Sequence, residues 1–72
     1  MKISQHALQR WRVRAPREFN TPDDLQLALH TGRIIRETES TQWIAAMGMV
    51  IVVRNQVAVT CWKARAFSSR IS

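Results

Sequence analysis

In the stretch SQHALQRWRVR, residues 4 to 14, one histidine and three arginines fall within a single helix length. His6, Arg10 and Arg14 follow one another at i, i+4 and i+8, the spacing of one helical stripe, beside Ala7 and Trp11. Like charges at that spacing repel, so the stripe destabilises a free helix. A bound phosphate turns the repulsion into attraction, because guanidinium groups make charge-assisted and often bidentate contacts with phosphate oxygens. His6 falls in the first turn, where the helix dipole disfavours its protonated form. A histidine kept neutral near pH 7 can take a proton and then return it. Cleaving RNA without a metal needs a base for the 2′-hydroxyl, an acid for the departing 5′-oxygen and cations for the charge that builds on phosphorus. His6, Arg10 and Arg14 could supply most of that set, and Thr60 or Lys63 could complete it from the last strand. The competing reading is a solvated arginine face with an incidental histidine.

Charge along the chain carries the second signal. The net charge is +6. Residues 1 to 17 hold Lys2, Arg10, Arg12, Arg14 and Arg17 with no acid, and residues 40 to 72 hold Arg54, Lys63, Arg65 and Arg70 with none. All five acids, Glu18, Asp23, Asp24, Glu37 and Glu39, lie in the middle. If the two basic ends meet in space, they form one surface suited to a polyanion, with Arg10, Arg12, Arg14, Arg17, Lys63 and Arg65 as the expected nucleic-acid contacts. Solubilising charge is the simpler account of the same pattern.

At 72 residues the chain is one domain near the lower limit for a core that holds without staples, so a homodimer would relieve a shortage of buried area. A hydrophobic share of 46% excludes a disordered composition. The lone Cys61 has no disulfide partner, and with only His6 and His30 to join it no metal cluster is expected. No cofactor motif is present. MKISQHALQRW has no apolar stretch after Lys2, and the longest apolar run, WIAAMGMVIVV, has 11 residues against the roughly 20 of a membrane-spanning helix. A cytoplasmic protein without a membrane segment is expected.

The elements that must position these residues follow from local signals. KIS at 2 to 4 suits a short edge strand, with Ser4 capping a helix over about 5 to 14 and Ile3 stapling its start. Pro16 ends that helix by turning Ala15 away from helical dihedrals. In NTPDDLQLALHTG, Thr21 is a good N-cap, Pro22 suits the first helical position, and Asp23 and Asp24 complement the dipole. Leu25, Ala28 and Leu29 make the apolar stripe, His30 suits the last turn as a cation, and Gly32 is placed to supply a left-handed cap.

RIIRET (33 to 38), TQWIAAM (41 to 47), MVIVVR (49 to 54) and VAVTCWKA (57 to 64) read as strands, with Asn55–Gln56 as a two-residue hairpin. Strict alternation in the last strand puts Val57, Val59 and Cys61 on one side and Ala58, Thr60, Trp62 and Ala64 on the other. Cys61 is then a small buried hydrophobe, and Trp11 belongs to the core. Trp43 and Trp62 belong to the core or stack on bases. The fold class is α+β: two N-terminal helices packed on a C-terminal antiparallel meander of about four strands. Residues 1 to 64 form the domain and residues 65 to 72, RAFSSRIS, a basic tail expected to be flexible.

A short strand, Ser-x-His-Ala-x-x-Arg on the first helix, a second helix ending in Gly and a closing VAVT resemble the barnase/EndoU/colicin/RelE superfamily, in particular its small bacterial and phage members. The resemblance implies two helices on an antiparallel sheet and metal-independent, toxin-like endoribonuclease activity. It matches His6 and Arg10 to the helix motif and Thr60 to a polar position of the late strand. The chain departs from that pattern in lacking tyrosine, which leaves only Lys63 or Arg65 near the C-terminus in place of the usual second proton carrier. The function expected is therefore a small RNA-directed protein, more suited to RNA than to DNA. The alternatives are a non-catalytic nucleic-acid-binding module and a protein that inhibits an acidic host protein. An antitoxin would be the partner if the toxin-like reading holds.

Overall fold

The computed structural model describes residues 2 to 65. The elements run β1 (Lys2–Ile3), α1 (Gln5–Arg14), a 3-10 turn (Arg17–Phe19), α2 (Pro22–Thr31), β2 (Arg33–Glu37), β3 (Thr41–Ala46), β4 (Met49–Arg54) and β5 (Val57–Lys63). The expected boundaries hold to within a residue or two, and both helices start as the capping residues direct. Ser4 Oγ accepts from the Ala7 N–H at 3.1 Å. Thr21 and Asp24 form a reciprocal capping box: each backbone N–H donates to the other's side chain, at 3.2 Å in both directions. Apart from Arg65, the expected basic tail lies outside the described residues.

Among the described residues the sheet has five strands in the order β1-β5-β4-β3-β2. β2 to β5 are an antiparallel meander as expected, but β1 joins as a fifth strand, parallel to β5, with Lys2 opposite Val57 and Ile3 opposite Ala58. The sheet is therefore mixed, not purely antiparallel. The physical reason is that β1 fills the outer edge of β5, where the carbonyls of Gln56 and Ala58 accept from the N–H groups of Lys2 and Ser4. First and last strands become neighbours.

One face of the sheet is covered by both helices. Ala7, Trp11 and Ala15 from the first helical segment and Leu25, Ala28 and Leu29 from α2 meet Ile44, Met49, Ile51, Val53, Ala58 and Cys61 of the sheet in one core. Trp11 is fully buried, and its indole Nε1 has no hydrogen-bond partner among the described residues. The presence of both Ala58 and Cys61 in that core corrects the alternation expected for β5. Thr60 pairs with Val52, but Ala58 pairs with Val53, so Val59 is an extra residue that shifts the register. The bulge returns Ala58 to the side of Cys61, while Thr60 and Trp62 point away from the helices.

Gly32 also differs from its expected role. Its φ of −70° is not left-handed, so it ends α2 in extended geometry. What it supplies is room: a Cβ there would sit 2.6 Å from the Ala28 carbonyl oxygen and closer still to Ile44 Cγ2. The positive φ values fall in the hairpins instead, at Met47 (53°) and Gly48 (74°) and at Asn55 (52°) and Gln56 (65°). Two consecutive positive φ values define the type I′ turn, whose twist matches that of the flanking strands.

Gln56 pays a left-handed penalty of about 1 kcal/mol that glycine avoids. Gln56→Gly should therefore raise unfolding free energy by about 0.5–1 kcal/mol, whereas Gly32→Ala should lower it by about 1–3 kcal/mol through overpacking. Chemical denaturation of the two variants beside wild type tests both signs.

Candidate nucleic-acid interface

α1 lies across β5, and the side of the helix that carries the basic stripe borders the outer edge of that strand. β1 pairs only with Val57 and Ala58, so beyond them side chains satisfy the edge. Ser4 Oγ donates to the Val59 carbonyl at 3.4 Å, and Arg14 Nη1 donates to the Cys61 carbonyl at 2.9 Å. Arg14 is consequently half-buried and partly committed to the fold, while His6 and Arg10, on the same stripe, are exposed. Arg12 and Arg17 are exposed as well.

At the far end of α1, Val13, Arg14, Ala15 and Pro16 share a shallow cleft with Gly48, Met49 and Lys63. This cleft and the pairing of β1 with β5 bring the two basic chain ends together. Lys63 and Arg65, at and just after the end of β5, are exposed.

Not every expected site residue joins this group. Thr60 points to the face opposite Cys61, and Cys61 faces α1 closely enough for its Sγ to lie 3.8 Å from the Ala7 carbonyl oxygen. The body of β5 thus stands between the Thr60 side chain and the helix that carries His6 and Arg10. Arg10, Arg14 and Lys63 are gathered along one border, and Thr60 belongs to another surface. His30 is exposed at the end of α2, on a different element from the stripe.

That other surface carries Trp43 and Trp62, for which base stacking was one expected role, but the sequence did not show that Arg33 and Arg36 join them. On the face turned away from α1 and α2, register aligns Arg36 with Trp43, Trp43 with Val52 and Val52 with Thr60, while Val50 pairs with both Ala45 and Trp62. Arg33 pairs with Ala45 and so shares the face. Arg33 and Arg36 are three residues apart, which strict alternation would place on opposite sides. The irregularity at Ile35 returns Arg36 to the side of Arg33. The Arg36 guanidinium carbon lies 5.0 Å from the centre of the Trp43 ring, within cation–π range. The valine-rich strand and Trp43 were legible signals; the bulges that align them with the arginines were not.

Comparison of the chain with protein-family models, with curated proteins and with solved structures yields no match. Among the described residues, no helix is long and apolar enough to cross a membrane, and no group of three His, Cys, Asp or Glu is placed to hold a metal ion.

Cys61 reports the electrostatics of the border. Burial pushes its thiol from 9.0 up to about 11, opposed by the positive charges of Arg14 and Arg10, which favour the thiolate. The folded protein therefore keeps this proton at pH values where the unfolded chain releases it. Stability should fall as pH rises from 9 toward 11, and this contribution should be flat below that window. Denaturation midpoints measured across the window should decline more steeply for wild type than for Cys61→Ala.

Proposed function

We propose that this chain is a small nucleic-acid-binding module, directed to RNA, that works by binding rather than by turnover. The observation that carries the reading is the meeting of the two basic chain ends. β1 lies beside β5, Arg14 of α1 reaches the Cys61 carbonyl, and Lys63 borders the same cleft. Residues 1 to 17 and 55 to 65 contain no acid, so the approach of α1 to β5 concentrates positive charge along their shared border. A field of that kind attracts polyanions and releases their counterions on contact. Arg10 and Lys63 are exposed there for phosphate contacts, Arg12 adds to Arg10 on the outer face of α1 toward the start of α2, and Arg65 extends the patch. Arg14 shapes it from beneath.

A metal-independent endoribonuclease built on His6 and Arg10 is the second reading, favoured by the exposure of both side chains one helical turn apart. Binding is preferred because Thr60, the polar group meant to complete that site, faces the other side of β5. The same assay separates the two. With end-labelled RNA in excess EDTA, the binding reading expects a retarded and intact probe, and affinity that falls steeply as salt rises. Replacing Arg10 and Arg12 together by Gln should reduce the magnitude of the salt slope by about 2 and weaken binding to all sequences alike. Cleavage that disappears in His6→Ala would replace binding with catalysis, and absence of any complex at low salt would sink the polyanion reading altogether.

A further inference from the structure

We propose that the sheet face turned away from the helices is a stacking platform for the unpaired bases of single-stranded RNA, with Trp43 as its aromatic centre and Arg36 and Arg33 as its phosphate contacts. This inference rests on the nucleic-acid reading above and deepens it by naming the form of nucleic acid bound. It draws on residues that do not contribute to the basic border of α1.

The first support is charge. Arg33, Arg36 and Arg54 all project to this face, Arg54 by alternation with Val50 and Val52 along an unbroken β4. None of the five acids does. Glu18, Asp23 and Asp24 belong to the helical layer and Glu39 to the turn after β2. Glu37 pairs with Gln42, which sits opposite the core residue Val53, and it accepts a hydrogen bond from Gln42 Nε2 at 2.6 Å. The charge this face carries is therefore positive, although β2, the strand that brings two of its arginines, comes from the acidic middle of the sequence.

The second support is the arrangement of the aromatic groups. Trp43 and Trp62 lie diagonally across β4, separated by two strand spacings and two residues, about 12 Å between Cα atoms. Val50 and Val52, the residues between them, are 2% and 5% exposed, while Trp43 keeps partial exposure. A partly exposed indole seated on buried valines, next to exposed guanidinium groups, has the composition that grips single strands. Every base has a π-face to stack, and the arginines supply cation–π and phosphate contacts. A duplex has its bases already stacked and offers only its backbone to such a surface. Arg36 covers Trp43 at 5.0 Å in the free protein, which keeps the ring in place until a base displaces or sandwiches it.

The test titrates a fluorescently labelled 12-nucleotide oligouridylate, and a duplex RNA of the same length, into wild type, Trp43→Leu, Trp43→Phe and Arg36→Gln. Circular dichroism confirms that each variant is folded. Wild type should bind the single strand more tightly than the duplex and show quenched tryptophan emission. Trp43→Leu should lose about 5- to 150-fold in single-strand affinity, the range expected for one base stacked on an aromatic ring. Trp43→Phe should recover most of that loss, and duplex affinity should not change. Arg36 is exposed, so Arg36→Gln tests the same face without risk to the core. Single-strand binding unaltered in both Trp43→Leu and Arg36→Gln would overturn the platform, as would a preference of wild type for duplex. If the Arg10 and Arg12 double variant still weakens both probes in that case, the basic border survives and only the platform fails. If wild type binds neither probe, both readings fall together.

Discussion

The pairing of β1 with β5 is the constraint on which the remaining arrangement depends. Its ends are held by backbone hydrogen bonds from Lys2 N–H to the Gln56 carbonyl at 3.3 Å and from Ser4 N–H to the Ala58 carbonyl at 2.9 Å. These bonds join residues more than fifty positions apart. They fix Ser4 at the edge of β5, and Ser4 is also the N-cap of α1, so the helix starts from a defined point and runs across the last strand. Ala7 and Trp11 then fall into the core, and Arg14 arrives where β5 needs a donor for the Cys61 carbonyl. An edge left unpaired by a two-residue strand is closed by a hydroxyl and a guanidinium, which also protects it against pairing with another chain.

The same constraint governs the electrostatics. Bringing like-charged chain ends together is unfavourable, and the fold accepts this by giving Arg14 a carbonyl partner and leaving Arg10, Arg12, Arg17 and Lys63 in water. The thiol of Cys61, buried beneath them, stays protonated because desolvation outweighs the two nearby guanidinium charges. Glu18, Asp23 and Asp24 lie in the helical layer, Glu39 in the turn after β2 and Glu37 on the core side of β2, which leaves the outer sheet face without an acid. Charge in this molecule is sorted by surface more sharply than by position in the chain.

Most of the fold was legible residue by residue. Caps at Ser4 and Thr21, the break at Pro16 and the turn at Asn55–Gln56 are local signals, and each acts within a few residues of where it is written. The runs at 41–46 and 49–54 announce themselves as strands through their apolar and β-branched content. The candidate site was less legible. His6, Arg10 and Arg14 do share a stripe, as their spacing requires, but the spacing could not say that Arg14 would bond a backbone carbonyl. Nor could it say that Thr60 would face away from them.

Local chemistry therefore determined which residues are helical, which are extended and where the chain turns, because dihedral preference, capping and burial period are properties of neighbours in sequence. The assignment of side chains to surfaces was settled by the folded whole. A single extra residue reverses every alternation after it, and the bulges at Ile35 and Val59 exist only relative to a partner strand. Those two residues bring Arg36 to the side of Arg33 and Ala58 to the side of Cys61. The meeting of the basic ends has the same origin, since it depends on hydrogen bonds between the first strand and the last, and no local signal records which edge a two-residue strand will join.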